Sequence, residues 1–581
     1  MSRFTVPEFI HEVIDDPRQR GILISGSLAL FAVGLVPRVL SPGLPTAQEA
    51  LRAQPEIENL FLLLSFASTA TIIVGGLVSD LFRRRALLVG GLALMLAGSI
   101  TSVVFPHGPM FYAANFTSIA AAGVVLAYGI GSVAVAYEGV ARATALGFVY
   151  GAFGAGSAAS PAVLTLFPRL IPSEDPDVLT DFTFDTWLAY SLTAVAAGIA
   201  LWAALRWMPR IPGSLPASRT LITGVAAWSV AILAIVSGVL GLGGPGGQLL
   251  PMALIVGGGI GLATLTFRFS RTSEAMGKLR LEKRGLGAAL SVGIAVGFAQ
   301  AVPLMLLPVV FEYPLRYGTL FAVFAIAPFA VALLLAGPIS GILIRRFGPR
   351  GMMSGGTLML GVANIALAVV LMLIAQEVRN LFEADPTRTD LGLGPAHYLL
   401  FILPLVLVGA GFVLSTTVRT AIVFASTPRG LPASAAAINE ASVGLGSRLG
   451  IVVATTALTL AALGSAREMV AGRTDAVELV DEFNVALISL GTPRFKEIYA
   501  ASLAGAEPVK GAAYSVAYMD GVVAALAISG AVGLIGALIA WVLTGRRDPL
   551  KTVFDMQDER DEQARIVAAT TPSPGKEAGP A

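Results

Sequence analysis

The sequence predicts an all-α integral membrane protein of about fourteen transmembrane helices, and three observations predict it. Of 581 residues, 55% are hydrophobic and only 13% charged, with a mean hydropathy of +0.78. That is more apolar surface than a soluble domain can hide, so lipid must be the solvent. Apolar runs of about 20 residues, enough to cross ~30 Å of hydrocarbon at ~1.5 Å per residue, recur along the chain. A short pattern also occurs twice at the ends of such runs, GLVSDLFRRR from Gly76 to Arg85 and GILIRRFGPR from Gly341 to Arg350. Both copies have Gly first, a branched apolar residue third (Val78, Leu343) and Arg last, the mark of internal duplication in a membrane chain.

In chain order the runs cover 21–40, 59–79, 86–105, 111–137, 143–166, 186–206, 219–241 and 248–268. They continue over 286–311, 319–344, 351–376, 397–423, 435–464 and 516–544. An even number puts both termini on one side. Lys and Arg beside short loops are retained in the cytoplasm. An inside N-terminus gathers Arg83, Arg84, Arg85, Arg206, Arg268, Lys278, Arg345, Arg346, Arg350, Arg546 and Arg547 there, while outer loops carry acids such as Glu174 and Asp181. The expected location is therefore the cell membrane, a bacterial plasma membrane, crossed many times with both termini cytoplasmic. Residues 1–20 are too charged for a cleavable signal, so the mature chain is expected to begin near Met1. The outer segment 465–515 has apolar residues at helical spacing (Val477, Leu479, Val480, Phe483, Leu487), which predicts a short helical hairpin on the outer mouth.

Composition excludes several functions. A net charge of +2 gives no footprint for nucleic acid, and the absence of cysteine removes thiolate chemistry. His11, His107 and His397 are far apart and outside or at the ends of runs, and no Walker or HExxH pattern occurs. Neither an enzyme, a metal site nor a cofactor is expected, and the chain carries no ATPase of its own.

The charges read here as placed inside the spans themselves are Glu440, Arg448 and Asp520. Glu440 lies roughly 7 Å in from the cytoplasmic end of its run, and Arg448 roughly 20 Å in, at a depth where it can reach Asp520. A charge in hydrocarbon costs at least ~3 kcal/mol, so an intramembrane acid is a candidate for proton coupling or cation binding. An Arg448–Asp520 pair of purely architectural role is the alternative for Asp520. Gln300, Met305, Phe298, Tyr128 and Tyr150 are weaker candidates for lining a central cavity. Gly147, Gly151, Gly154 and Gly156 leave one helix without side chains, so a neighbouring backbone can approach, and Pro161 beyond them is a candidate hinge.

Both glycine-arginine copies resemble the motif that joins spans 2 and 3 in the major facilitator superfamily and recurs in its second half. Gly76, Val78, Asp80, Arg84 and Arg85 match it, with Arg83 in place of the inner Gly. Gly341, Leu343, Arg346, Gly348 and Arg350 match the second copy, with Arg345 in place of the acid. Fourteen spans are similar to the branch of drug:proton antiporters that inserts two helices between two six-helix halves. Ile438 to Leu458 is similar to the acidic, glycine-rich span 13 of quaternary-ammonium exporters in that branch, Glu440 standing at their membrane carboxylate and Asp520 at their acid in span 14. Gly156, Ser160 and Pro161, after Gly147 and Gly151, partly match the span 5 antiporter motif. Span 1 lacks the branch's acid, and Asn115 stands in span 4 where its arginine is expected.

The resemblance implies a cytoplasmic segment 1–20, a first bundle 21–210 and inserted helices with a basic loop over 211–284. A second bundle with its outer hairpin follows over 285–544, then a cytoplasmic tail over 545–581. It implies alternating access by a monomer that exports small amphipathic molecules, cationic ones among them, against protons. The alternative is a lipid or metabolite carrier of the same fold without proton coupling. Asp80, the arginines and the second copy's Arg346, Gly348 and Arg350 are then expected to latch one access state as well as to set topology.

Overall fold

The structure is a computed structural model. It describes residues 16–50, 71–72, 84–105, 108–137, 139–170, 182–209, 284–315, 317, 321–322, 324–384, 395–426, 432–471, 475–488 and 508–544, with isolated positions between 253 and 264. Among the described residues there is no strand. The helices are α1 (Pro17–Ala50), α2 (Arg84–Val104), α3 (Gly108–Ala136), α4 (Gly139–Leu170), α5 (Phe182–Trp207) and α6 (Arg284–Glu312). The stretch Ala327–Ala384 is two helices, α7 before Gly348 and α8 after it, because Gly348 takes φ 70° and breaks the ladder. Glycine adopts that left-handed conformation without a Cβ clash, and Pro349 then starts the next helix with its φ already set. Then come a 3₁₀ turn (Pro395–Tyr398), α9 (Leu399–Ser426), α10 (Pro432–Met469), α11 (Ala476–Ile488) and α12 (Pro508–Leu543).

Nine segments among the described residues are long and apolar enough to cross a bilayer. The expected runs 59–79, 219–241 and 248–268 lie wholly or mostly outside the described residues. The connection expected over 465–515 is shorter, because α10 continues to Met469 and α12 already begins at Pro508. Within it α11 buries Leu479, Phe483 and Leu487, and Phe483 stacks on Tyr514 of α12 at 4.7 Å. Val477, expected to pack, is instead 77% exposed.

Prolines inside α6 (Pro303, Pro308) and α9 (Pro404) interrupt no helix, since neighbouring helices can satisfy the carbonyls they free. Hydroxyls within apolar helices bond back one turn, as Ser99 does to Met95 O at 2.8 Å and Thr357 to Met353 O at 2.7 Å. Val362, Ile365, Val369 and Leu373 form an exposed stripe along α8, fitted to lipid. Buried apolar residues form two main cores. One joins Ile22 through Met208 and takes in Ala436 and Ala437; the other joins Leu286 through Ala540 and takes in Ala143.

Lipid tails are as apolar as leucine, so close packing must hold such helices together, and glycines supply it. A Cβ on Gly34 of α1 would strike Phe153 O of α4, and one on Gly156 of α4 would strike Phe31 O. The same crossing recurs between α6 and α10: Gly297 faces Val443 O, and Gly446 faces Ile294 O. The same number of residues separates Gly34 from Gly297 as Phe31 from Ile294, and Phe153 from Val443 as Gly156 from Gly446.

Candidate functional site

A polar cluster sits where the two cores meet, supplied by α4, α9 and α10. Glu440, 9% exposed, accepts at Oε1 from the Tyr150 hydroxyl at 2.6 Å and from Asn439 Nδ2 at 2.8 Å. Thr420 lies 2.9 Å from Tyr150 and accepts from Asn439 Nδ2 at 2.9 Å. Arg419 is completely buried, its Nη1 donating to Asn439 O at 2.8 Å and to Ser442 Oγ at 2.9 Å. Its Nη2 is 3.8 Å from Glu440 Oε1, an ion pair without a hydrogen bond.

Each element has a reason to hold its part. α10 puts Asn439, Glu440 and Ser442 within one turn, which turns Glu440 toward α4 and Ser442 toward α6 and α9. Gly293 of α6 makes room for Arg419, because a Cβ there would lie 2.5 Å from Nη1. An isolated buried guanidinium costs several kcal/mol, so neighbouring Glu440 and the acceptors on α10 are what make it tolerable. Chemically, the cluster is a buried carboxylate whose strongest neutral donor, Tyr150, belongs to the other core.

Other contacts between the cores lie close by. Gly147 of α4 meets Gly337 of α7 backbone to backbone, and Ser340 donates to Ala143 O at 3.4 Å. Gly151 and Gly154 face Leu333 and Leu334, so the predicted close approach is real and its partner is α7. Gly156 points the other way, onto α1. α4 is helical through Ser160 and Pro161, whose side chains lie outside the described residues.

Asp520 requires a correction. It pairs with Arg379 of α8 at 2.7 Å and accepts from Ser465 at 2.6 Å, and Arg448 is not its partner. Arg448 and Ser465 share the continuous α10, so they stand about 25 Å apart along it at ~1.5 Å per residue, beyond any side chain's reach. Arg448 is mostly buried, one turn and a half beyond Ser442. Glu440 and Asp520 are therefore not brought together.

The described arginines of the repeated motif each reach a neighbouring helix. Arg85 donates to Leu205 O at the end of α5, and Arg350 lies 4.0 Å over the Trp541 ring near the end of α12. Each ties its turn to a helix within its own core. Arg346 is exposed, 5.5 Å over Phe347, and Gly341 is buried in α7. Expectations placed on Gly76, Asp80 and the side chain of Arg84 lie outside the described residues. Asn115, in the position of the absent span 4 arginine, accepts from the buried Tyr190 hydroxyl and donates to Phe111 O at 3.0 Å. Of the proposed cavity residues, Phe298 packs under Gly450 of α10 and Tyr128 is buried.

Sequence reasoning missed Arg419, Asn439, Thr420 and Ser442. Arg419 left one usable signal, a lone cation in the apolar run 397–423; the others are polar residues of kinds common in membrane helices.

Apolar helices meeting over a buried, ionisable junction define a multi-pass membrane protein, and the comparisons with known proteins narrow this to a transporter. The family model of the Major Facilitator Superfamily matches residues 26–451, and the chain belongs to that superfamily. Among solved structures it is similar to the proton:xylose symporter XylE bound to 6-bromo-6-deoxy-D-glucose, at 14% identity and a TM-score of 0.52, covering 92% of this chain and 98% of that one. The human organic anion transporter MFSD10 (TETRAN) is similar at 12% identity and 0.51, over 90% and 99%. An auto-inhibited POT family peptide transporter is similar at 14% and 0.52, over 91% and 97%. Likeness at such identities extends to the fold alone. A search of curated proteins gave no match.

Proposed function

We propose that the chain is a secondary transporter that exports small amphipathic molecules in exchange for protons, with Glu440 as the group that couples the two. The observation that carries this is the Tyr150–Glu440 hydrogen bond, an ionisable contact between the two cores. A bond of that kind exists while the cores touch and is lost when they part, so protonation of the acid biases one access state over the other. The reading includes two six-helix bundles, 21–210 and 285–544, with two inserted helices between them and fourteen spans in all. The recurring α1–α4 and α6–α10 crossings support the duplication. With both termini cytoplasmic, the contacts around Gly147, Gly337 and Glu440 form the inner gate, here closed. The drug:proton antiporter assignment rests on the resemblance of span 13.

The test is a vesicle assay with an imposed pH gradient, screened against cationic dyes and lipid analogues. Glu440→Gln is expected to abolish substrate-dependent proton movement while the protein stays folded. Coupled proton movement retained in that variant excludes Glu440. A second reading, an uncoupled lipid or metabolite carrier, is favoured by Asn115 standing in span 4 bonded to a neutral tyrosine; wild-type transport that survives collapse of the gradient selects it.

A further inference from the structure

The carboxylate of Glu440 has a second place to go. Arg419 uses one nitrogen, Nη1, for both of its hydrogen bonds, while Nε and Nη2 make none although the side chain is completely buried. Those two nitrogens form the edge that grips a carboxylate with two parallel hydrogen bonds at ~2.8 Å. Glu440 Oε1 stands only 3.8 Å from Nη2, held off by Tyr150 and Asn439. Buried donors without acceptors are rare and call for a cause.

Internal duplication supplies independent evidence that the guanidinium is not needed for packing. The spacing that carries Phe153 to Val443 and Gly156 to Gly446 also carries Tyr150 to Glu440 and Gly129 to Arg419; the spacing of Gly34 to Gly297 also carries Leu30 to Gly293. Tyr150 and Glu440 thus occupy equivalent positions and touch each other, as residues on a two-fold axis do. In the first core a Cβ on Gly129 would meet Leu30 Cδ1; in the second, one on Gly293 would meet Ser442 Oγ and Arg419 Nη1. Large and small residues have changed places across the same junction, and the first copy holds together without any charge.

We propose that Arg419 is the alternate partner of Glu440: when the halves part and Tyr150 withdraws, the carboxylate closes onto the free Nε/Nη2 edge. The inner gate then has a defined bond in each position, Glu440 to Tyr150 when closed and Glu440 to Arg419 when open. This rests on Glu440 being a group that responds to gate movement, and it makes Arg419 a positioning residue for that group.

The chain has no cysteine. An Ala143→Cys, Ser340→Cys pair, placed where Ser340 Oγ lies 3.4 Å from Ala143 O, therefore reports gate closure through its rate of disulfide cross-linking in liposomes. Tyr150→Phe removes the closed-state bond and is expected to slow cross-linking roughly tenfold. Gly293→Leu with Arg419→Gly and Ser442→Ala, Ala152 being the first-core counterpart of Ser442, rebuilds the Leu30/Gly129 packing of the first core, removes the open-state bond, and is expected to speed cross-linking by a similar factor. An unchanged or slower rate in a swap protein of unchanged melting temperature overturns the proposal. Should the swap fail to fold, Arg419→Lys keeps the charge without the planar fork; faster cross-linking supports the alternate pair, and an unchanged rate overturns it. Proton coupling is read separately in Glu440→Gln. If that variant uncouples transport while the Arg419 variants leave the rate unchanged, only the alternate pair falls; if it stays coupled, the coupling role falls whatever the rate does.

Discussion

Two acids in apolar helices invite one reading from sequence, and their partners separate them. Asp520 and Arg379 are joined at 2.7 Å, their side chains 27% and 31% exposed, with Ser465 completing the carboxylate's bonds. A partly exposed pair close to the end of α8 is worth about 1 kcal/mol and involves helices of the second core only. Asp520→Asn is expected to lower stability by no more than about that amount and to leave the stoichiometry of proton to substrate unchanged. Melting curves and the pH-gradient assay check it, and a changed stoichiometry would return Asp520 to the coupling pathway. Glu440 differs because its neighbours come from both cores. That it is a candidate was legible from one acid in a glycine-rich apolar run; with whom it pairs was not, since Tyr150 is remote in sequence and carries no charge to mark it. Arg419 was hidden by its place near the end of a run, where a cation usually marks a membrane surface.

At the scale of an element, α4 works through both faces. Gly147, Gly151 and Gly154 are spaced to bare one side of a helix, and that much is readable in advance. Which helix fills the bare side depends on the whole packing. The answer is α7 of the other core for these three and α1 for Gly156. Because Gly147 and Gly337 meet through backbone atoms, which cannot turn aside, any side chain at Gly147 must push the helices apart. Gly147→Leu is expected to cost about 1–3 kcal/mol of stability and to abolish cross-linking of the Ala143→Cys, Ser340→Cys pair. Gly464→Leu on α10, where a Cβ would meet nothing within 4 Å, is the control and is expected to change neither. Equal loss in both variants would mean that the close crossing is not what the glycine at 147 serves.

At the scale of the molecule, duplication runs deeper than the one motif in which it can be read. GLVSDLFRRR and GILIRRFGPR announce it, yet Phe153 and Val443, or Phe31 and Ile294, do equivalent work without resembling each other. Backbone carbonyls make the repeated contacts, so a glycine stands opposite them in both copies while the carbonyl's own side chain is free to differ. The motif arginines are repeated in role as well: Arg85 reaches the end of α5 and Arg350 the end of α12, each the last described helix of its core. The proposed layout, two six-helix bundles with two inserted helices between them, puts both turns on one membrane face. Single cysteines test it cleanly in a chain that has none of its own. Arg206→Cys at the end of α5 and Arg346→Cys at the Gly348 turn are both exposed, and both are expected to react with an impermeant maleimide only from the cytoplasmic side. Val477→Cys on α11, beyond the far end of α10, is expected to react only from outside. Labelling of Arg206→Cys and Arg346→Cys from opposite sides would mean that the halves are inverted, and the Tyr150–Glu440 contact could not then lie on an axis running through the membrane.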